Sequence, residues 1–268
     1  MVKLQKFYYN MTPSQKLEAF TFGSSIVVTA VLVTIGFLFG FKTLLLIIAA
    51  IAGLLLLALI ILFAKPFCIA RRIYKTRPPR KAYEEISSRD GYCRLDTLPQ
   101  ALISSVICAE DIRFYRHKGI DYSCLLKAVA HYMFTDMKPV GASTITQQTI
   151  KNIYLTPEAE MLRKTTEMLM VRRMEKELSK DQILELYLNV IYYGCGQTGI
   201  RDAARYYYDT TPEHLTFDQC VSLACILPCP DKYNKAASPL FFQQRKRKVL
   251  GALFLDMEFP YSEMKLES

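Results

Sequence analysis

PQALISSVICAEDIRFYRHKG, residues Pro99–Gly119, is the stretch from which the rest of the chain is read. Pro99 suits a first helical turn, and Leu102, Ile103, Val106 and Ile107 recur at the spacing of one buried helical face. That helix runs into a pair of acids, Glu110 and Asp111, followed by aromatic and basic residues up to Gly119. A carboxylate at a helix C-terminus feels the negative end of the helix dipole, and Ile107 and Phe114 beside it are apolar, so its proton affinity should rise. Such an acid can act as a base. On these residues alone a helix end with its charges in solvent is the favoured reading, and His117 reads as a hydrogen-bonded structural histidine.

Downstream the pattern stays helical. GASTITQQ, Gly141–Gln148, sets hydroxyls and carboxamides behind a glycine, and Lys151 lies one turn on from Gln147 and Gln148. Such a run offers donors and acceptors to sugar or phosphate oxygens, or is simply a loop entering a helix. Thr156, Pro157 and Glu158 read as an N-cap with a proline first turn, opening a helix through about Leu178. Within it RKTTE places Arg163 and Glu167 four apart on one face. Ser179 with Gln182 three residues on is a capping box that starts KDQILELYLN, Lys180–Asn189. Gly194, Gly196 and Gly199 mark a turn-rich break, and further helices are expected over Ala203–Tyr208 and Thr216–Leu227. No strand alternation longer than a few residues competes, so the predicted domain is mainly α.

Upstream lies a membrane segment. From Phe22 to Ala64 the sole charge is Lys42, and the flanking stretches Ser24–Phe41 and Thr43–Ala64 would rise about 27 and 33 Å as helices, against a hydrocarbon core of about 30 Å. Two spans in a hairpin are the preferred reading, with one span the alternative. The net charge of +9 is concentrated just after this segment: residues 65–81 hold seven bases and no acid, and residues 82–268 are nearly neutral. That places the basic excess where anionic lipid head groups are, and it is not the distribution of a nucleic-acid binder. The eight cysteines form no C-x-x-C pair, and with three histidines no metal-ligand spacing appears, so buried free thiols are expected and no metal site is assigned.

Taken in order, these segments resemble the family 51 peptidoglycan glycosyltransferases. E-D-x-x-F-x-x-H-x-G is met by Glu110, Asp111, Phe114, His117 and Gly119, and G-x-S-T-I-T-Q-Q by Gly141–Gln148. R-K-x-x-E is met by Arg163, Lys164 and Glu167, K-x-x-I-L-E-x-Y-L-N by Lys180–Asn189, and R-x-x-x-V-L by Arg245, Val249 and Leu250. The resemblance covers roughly residues 90–255 and implies an all-α, two-lobed, lysozyme-like glycosyltransferase domain behind N-terminal transmembrane helices. The expected organisation is an anchor over residues 1–64, a basic juxtamembrane stalk over 65–89, the catalytic domain over 90–255 and a tail over 256–268.

The resemblance implies polymerisation of lipid II on the outer face of the cytoplasmic membrane, with Glu110 as general base and Glu167 as the second carboxylate. Lys151, Arg163 and Lys164 would offset the leaving diphosphate, and Asp111, His117, Ser143, Thr144, Gln147 and Gln148 would bind substrate. Glu185, Tyr187 and Asn189 are expected to be architectural. No cofactor is obligatory; a magnesium or manganese ion at the diphosphate is the one expected accessory. Expected partners are lipid II, the growing glycan strand, membrane lipid and other proteins of wall synthesis. Two departures stand out: Ala159 and Thr166 occupy places where the family pattern carries cations. If both face the diphosphate, turnover is slow and metal-dependent, and cations restored there give partial rescue. An impaired membrane-bound paralogue and a lysozyme-like hydrolase remain as alternatives.

Overall fold

A computed structural model describes residues 12–135, 143–156, 159–230 and 239–256. The described helices are α1 (Pro13–Phe39), α2 (Phe41–Thr76), α3 (Pro79–Ser87), α4 (Gln100–Glu110), α5 (Tyr122–Thr135), α6 (Ile145–Tyr154), α7 (Glu160–Glu177) and α8 (Lys180–Val190). A hairpin of β1 (Tyr192–Gly194) and β2 (Gln197–Thr198) follows, then α9 (Ile200–Tyr208), α10 (Phe217–Ile226) and α11 (Pro239–Asp256). The chain forms two compact units, residues 1–67 with 122–142, and residues 68–121 with 143–268.

In the first unit Gly40 separates α1 from α2 at φ +82°, a left-handed conformation that glycine adopts without a Cβ penalty. Among the described residues α2 is the one helix long and apolar enough to cross a membrane, and α1 carries a shorter described apolar stretch over Thr21–Thr34. α5 belongs to this unit, and its Tyr122, Leu126, Tyr132 and Met133 are exposed, Tyr122 at 71%.

The second unit holds the core. α4 packs on α10 and α11, while α6 packs on α7 and α8. Leu102, Val106, Ile145, Ile150, Met170, Met174, Ile183 and Leu188 are among its fully buried side chains. The residues expected as a stalk contribute to this core: Ala70, Tyr74, Ala82 and Ile86 are buried, and the Tyr74 hydroxyl donates to the Met170 carbonyl at 2.8 Å. Residues 65–76 continue α2, and α3 starts on Pro79 with Pro78 at the N-cap, so the segment is helical where a connector was expected. Four helices open on the same reciprocal device: Thr12 with Gln15, Thr144 with Gln147, Ser179 with Gln182, and Thr216 with Gln219 each exchange the two bonds of a capping box. Each such cap stabilises its helix by about 1 kcal/mol.

α7 begins later than its sequence suggests. Ala159 is its N-cap, with no side-chain cap, and Thr156 stands outside the helix; Pro157 and Glu158 lie outside the described residues. The turn-rich break is the β1–β2 hairpin, whose two-residue turn carries Cys195 at φ +52° and Gly196 at φ +79°. Positive φ at both central positions is the conformation whose twist matches paired strands. Strands this short leave no alternation to read. Cys93, Cys220 and Cys225 are buried thiols.

Candidate active site

Glu110 is the last residue of α4, and its side chain is almost wholly shielded from solvent. Burial pushes its carboxyl up to about 7, against the pull of the Gln148 hydrogen bond, Arg245 and Lys151, with Asp111 adding a smaller push upward. The rise expected from the sequence is present, and desolvation is its largest cause. Gln148 Nε2 donates to Glu110 Oε2 at 2.5 Å.

The turn after Glu110 is held by main-chain contacts. Asp111 accepts from His117 Nε2 at 2.9 Å and from the Ile145 backbone N–H at 3.1 Å. Gly119 N–H donates to His117 Nδ1 at 3.0 Å, so the imidazole carries its proton on Nε2. The Thr144 hydroxyl donates to the Gly119 carbonyl at 2.6 Å and accepts from the Gln147 N–H. Gly119 itself has φ +84°, and a Cβ there would meet Val171 Cγ1 at 2.2 Å, so no other residue fits. Asp111, Thr144 and Gln147 are buried, and with His117 they hydrogen-bond inside the protein. Of the residues expected to bind substrate, these four join the end of α4 to the start of α6.

Ser143, Lys164, Arg163 and Glu167 form a second cluster. Lys164 Nζ donates to Ser143 Oγ at 2.7 Å and reaches Glu167 Oε2 at 3.2 Å, while Arg163 pairs with Glu167 Oε1. Glu167 is 2% exposed, so this is a buried carboxylate between two cations and not a solvent-exposed helix pair. Lys151 connects the clusters electrostatically. Burial pulls its ammonium below the ordinary lysine value, and both Glu167 and Glu110 oppose that shift. Gly141 lies outside the described residues.

Around these residues stands a polar frame. Glu185 accepts from the Tyr83 and Tyr92 hydroxyls at 2.9 and 2.7 Å and from the Leu95 N–H at 2.6 Å. Asn189 takes the Cys93 N–H at 2.9 Å and donates to the Cys93 carbonyl at 2.8 Å. Lys180 pairs with Glu175, which also accepts from the Thr146 hydroxyl, and lies 4.4 Å from the Phe114 ring centre. Tyr187 is fully buried. Within the Lys180–Asn189 motif Glu185 and Asn189 thus hold segment 83–95, while Tyr187 is packed in the core. The sequence shows Arg245 only as part of a motif without a role; the structure sets its guanidinium 4.0 Å from Glu110 Oε1.

The family profile described as Transglycosylase matches residues 80–254. The chain belongs to the transglycosylase family. It is 38% identical over 207 residues to a Cupriavidus necator protein provisionally named a transglycosylase, a match covering 77% of this chain and 85% of that one. It is 34% identical over 208 residues to penicillin-binding protein 1A of Neisseria gonorrhoeae and 37% over 165 residues to penicillin-binding protein 1A of Escherichia coli. Those two matches cover 74% and 60% of this chain but 26% and 19% of the longer relatives. The transglycosylase domain is a peptidoglycan glycosyltransferase.

The two departures from the family pattern divide on this geometry. Thr166 is 1% exposed, its hydroxyl donating to the Leu162 carbonyl at 2.8 Å, so a cation there would be buried and not presented to a ligand. Ala159 gives its carbonyl to the Arg163 N–H at the mouth of α7. A lysine at 166 therefore has no path to a ligand from this position. Thr166→Lys in this transglycosylase is instead expected to destabilise the domain by about 2–4 kcal/mol, the cost of an unpaired charge in a packed interior. Thermal unfolding of the purified variant checks this, and an unchanged midpoint would mean that the lysine escapes to solvent.

Proposed function

We propose that this transglycosylase domain polymerises lipid II into glycan strands. The 4-hydroxyl of the acceptor sugar attacks the anomeric carbon at the reducing end of the growing chain. The bond from that carbon to the diphosphate oxygen breaks, and undecaprenyl diphosphate departs with the electron pair and with inversion. Glu110 accepts the hydroxyl proton as the new bond forms. Lys151, Arg163 and Lys164 stabilise the departing diphosphate, a preorganised charge that counts most where water is excluded. Gln148 holds the base in direction, Ser143 keeps Lys164 in place, and Glu167 spaces the cations.

The observation that carries this reading is Lys151, an ammonium in the field of both carboxylates and in company with Arg163 and Lys164. Three cations about a second acid suit a diphosphate leaving group, whereas cleavage of a glycan strand by water has no anion to place there. The donor set does not fit a divalent ion held by protein: Glu167 is engaged by two cations, and among the described residues no cluster of three His, Cys, Asp or Glu is present. Incubation of the purified protein with labelled lipid II is expected to give polymer that moenomycin abolishes; absence of polymer with wild-type protein would overturn the reading.

The chemistry puts the domain on the outer face, with α2 as its span and the exposed apolar side chains of α5 at the lipid interface. Seven bases in residues 65–81 would by themselves favour the cytoplasm, so the lipid-bound substrate, and not the charge rule, decides this placement. Protection of a cysteine placed at Ser268 from an impermeant reagent in intact cells would refute it.

A pH dependence follows from the base. Glu110 works when ionised, so the rate is expected to fall about tenfold per pH unit below about 7. Stability moves the other way. Between the ordinary glutamate value and about 7 the folded protein retains a proton that the unfolded chain has released, so this carboxyl's contribution declines as pH rises through that window. Rate measurements from pH 5 to 9 check the first; an acid limb near 4.5 would mean that the base is not buried in the working enzyme.

A further inference from the structure

Glu110 has one oxygen committed and one not. Oε2 takes the Gln148 amide, whereas Oε1 is buried with no hydrogen-bond partner. Arg245 shows the complementary pattern: Nη2 donates to the Ala109 carbonyl at 2.6 Å, and Nε is buried without an acceptor. That carbonyl is among those a helix leaves unpaired at its C-terminus, so Arg245 caps α4 one residue before the acid. The same guanidinium lies 4.0 Å from Oε1, beyond hydrogen-bond reach but within strong Coulombic range.

We propose that Arg245 is a positioning residue for Glu110: anchored to the carbonyl of Ala109, its guanidinium aims the carboxylate and keeps it ionisable in a dry site. This rests on the reading of Glu110 as base. Other groups also face Glu110: Gln148 and Lys151 from α6, Tyr187 from α8, Tyr193 from β1 and Asp111 from its own turn. Tyr187 and Tyr193 are fully buried, with hydroxyls that lack partners and stay protonated, so they bring no charge. Asp111 is tied to His117 and the Ile145 N–H, which leaves Arg245 and Lys151 as the cations that oppose burial. Lys151 also answers to Glu167 on the far side. Arg245 has no second carboxylate among its described ion pairs, and its anchor lies on the helix that bears the base.

The test uses the full chain with its glutamate carboxyls labelled with carbon-13, the Glu110 signal being assigned by its loss in Glu110→Gln. In Arg245→Met the titration midpoint of Glu110 is expected to rise by about one unit or more, as loss of a nearby opposite charge dictates. The acid limb of the polymerisation rate should move with it, lowering kcat about fivefold or more at pH 7, with partial recovery at higher pH and KM little changed. Arg245→Lys keeps the charge but loses the planar fork. It should leave the midpoint within about half a unit of wild type while the plateau kcat falls. An unmoved midpoint in folded Arg245→Met overturns the proposal. Should the methionine variant not fold, a lysine variant with unchanged plateau kcat overturns it equally. A shifted titration in a protein that does not polymerise lipid II upholds the coupling of Arg245 to Glu110 and overturns the function reading instead.

Discussion

Glu110→Gln is expected to reduce polymerisation by about 100- to 10,000-fold while the protein stays folded. The amide keeps the shape of the carboxyl, and its oxygen still accepts from Gln148, but it takes no proton at any working pH. Because the site around it is closed, water is a poor substitute base. The measurement is turnover of labelled lipid II by wild type and variant at matched pH, with thermal unfolding as the control. A midpoint within about 5 °C of wild type separates lost chemistry from lost structure. Turnover within tenfold of wild type would remove Glu110 from the role of base, and Asp111 would not inherit it, since both its oxygens are engaged by His117 and Ile145.

Glu185→Ala should cost stability, not chemistry. Its carboxylate is the acceptor for three donors, the Tyr83 and Tyr92 hydroxyls and the Leu95 N–H, which come from residues 83–95 onto α8. Truncation strands all three in a partly buried place, at about 1 kcal/mol each or more, so a loss of about 3–5 kcal/mol and a fall in Tm of about 6–20 °C are expected. Glu185→Gln keeps an acceptor and should recover about half. Differential scanning of both variants decides: a loss under about 1 kcal/mol for alanine would mean that segment 83–95 is held by apolar packing alone.

Much of this was visible in the chain before its structure. Helix type was legible because apolar spacing and capping residues speak locally: Ser179 and Gln182 announced α8, and the same pattern at Thr144 and Thr216 was available by the same rule. The elevated proton affinity of Glu110 was legible in direction from its apolar neighbours. Other features were not, because they depend on what lies opposite. Nothing in R-K-x-x-E says that Glu167 is buried, and nothing in a threonine says that Thr166 faces inward. Asp111, His117, Thr144 and Gln147 sit among reactive residues in sequence, yet spend their polar atoms on one another and on the main chain; only long-range contacts reveal that. The basic residues before position 81 suggested a tether, whereas Tyr74 and Ile86 are core.

The anchors of this domain grip main-chain atoms: Asp111 the N–H of Ile145, Thr144 the carbonyl of Gly119, Asn189 both groups of Cys93, and Arg245 the carbonyl of Ala109. Every residue except proline presents the same N–H and carbonyl, so the constraint is one-sided. Positions 93, 109 and 145 can drift in side chain as far as packing permits without loosening the frame, whereas 111, 144, 189 and 245 have no such latitude. Saturation mutagenesis would therefore find the chain unevenly permissive, with positions 111, 189 and 245 each matched across space by a tolerant one, and Thr144 alone facing a partner, Gly119, that is itself fixed. A diverged member of this architecture could thus look poorly matched along much of its length and still hold its base in register.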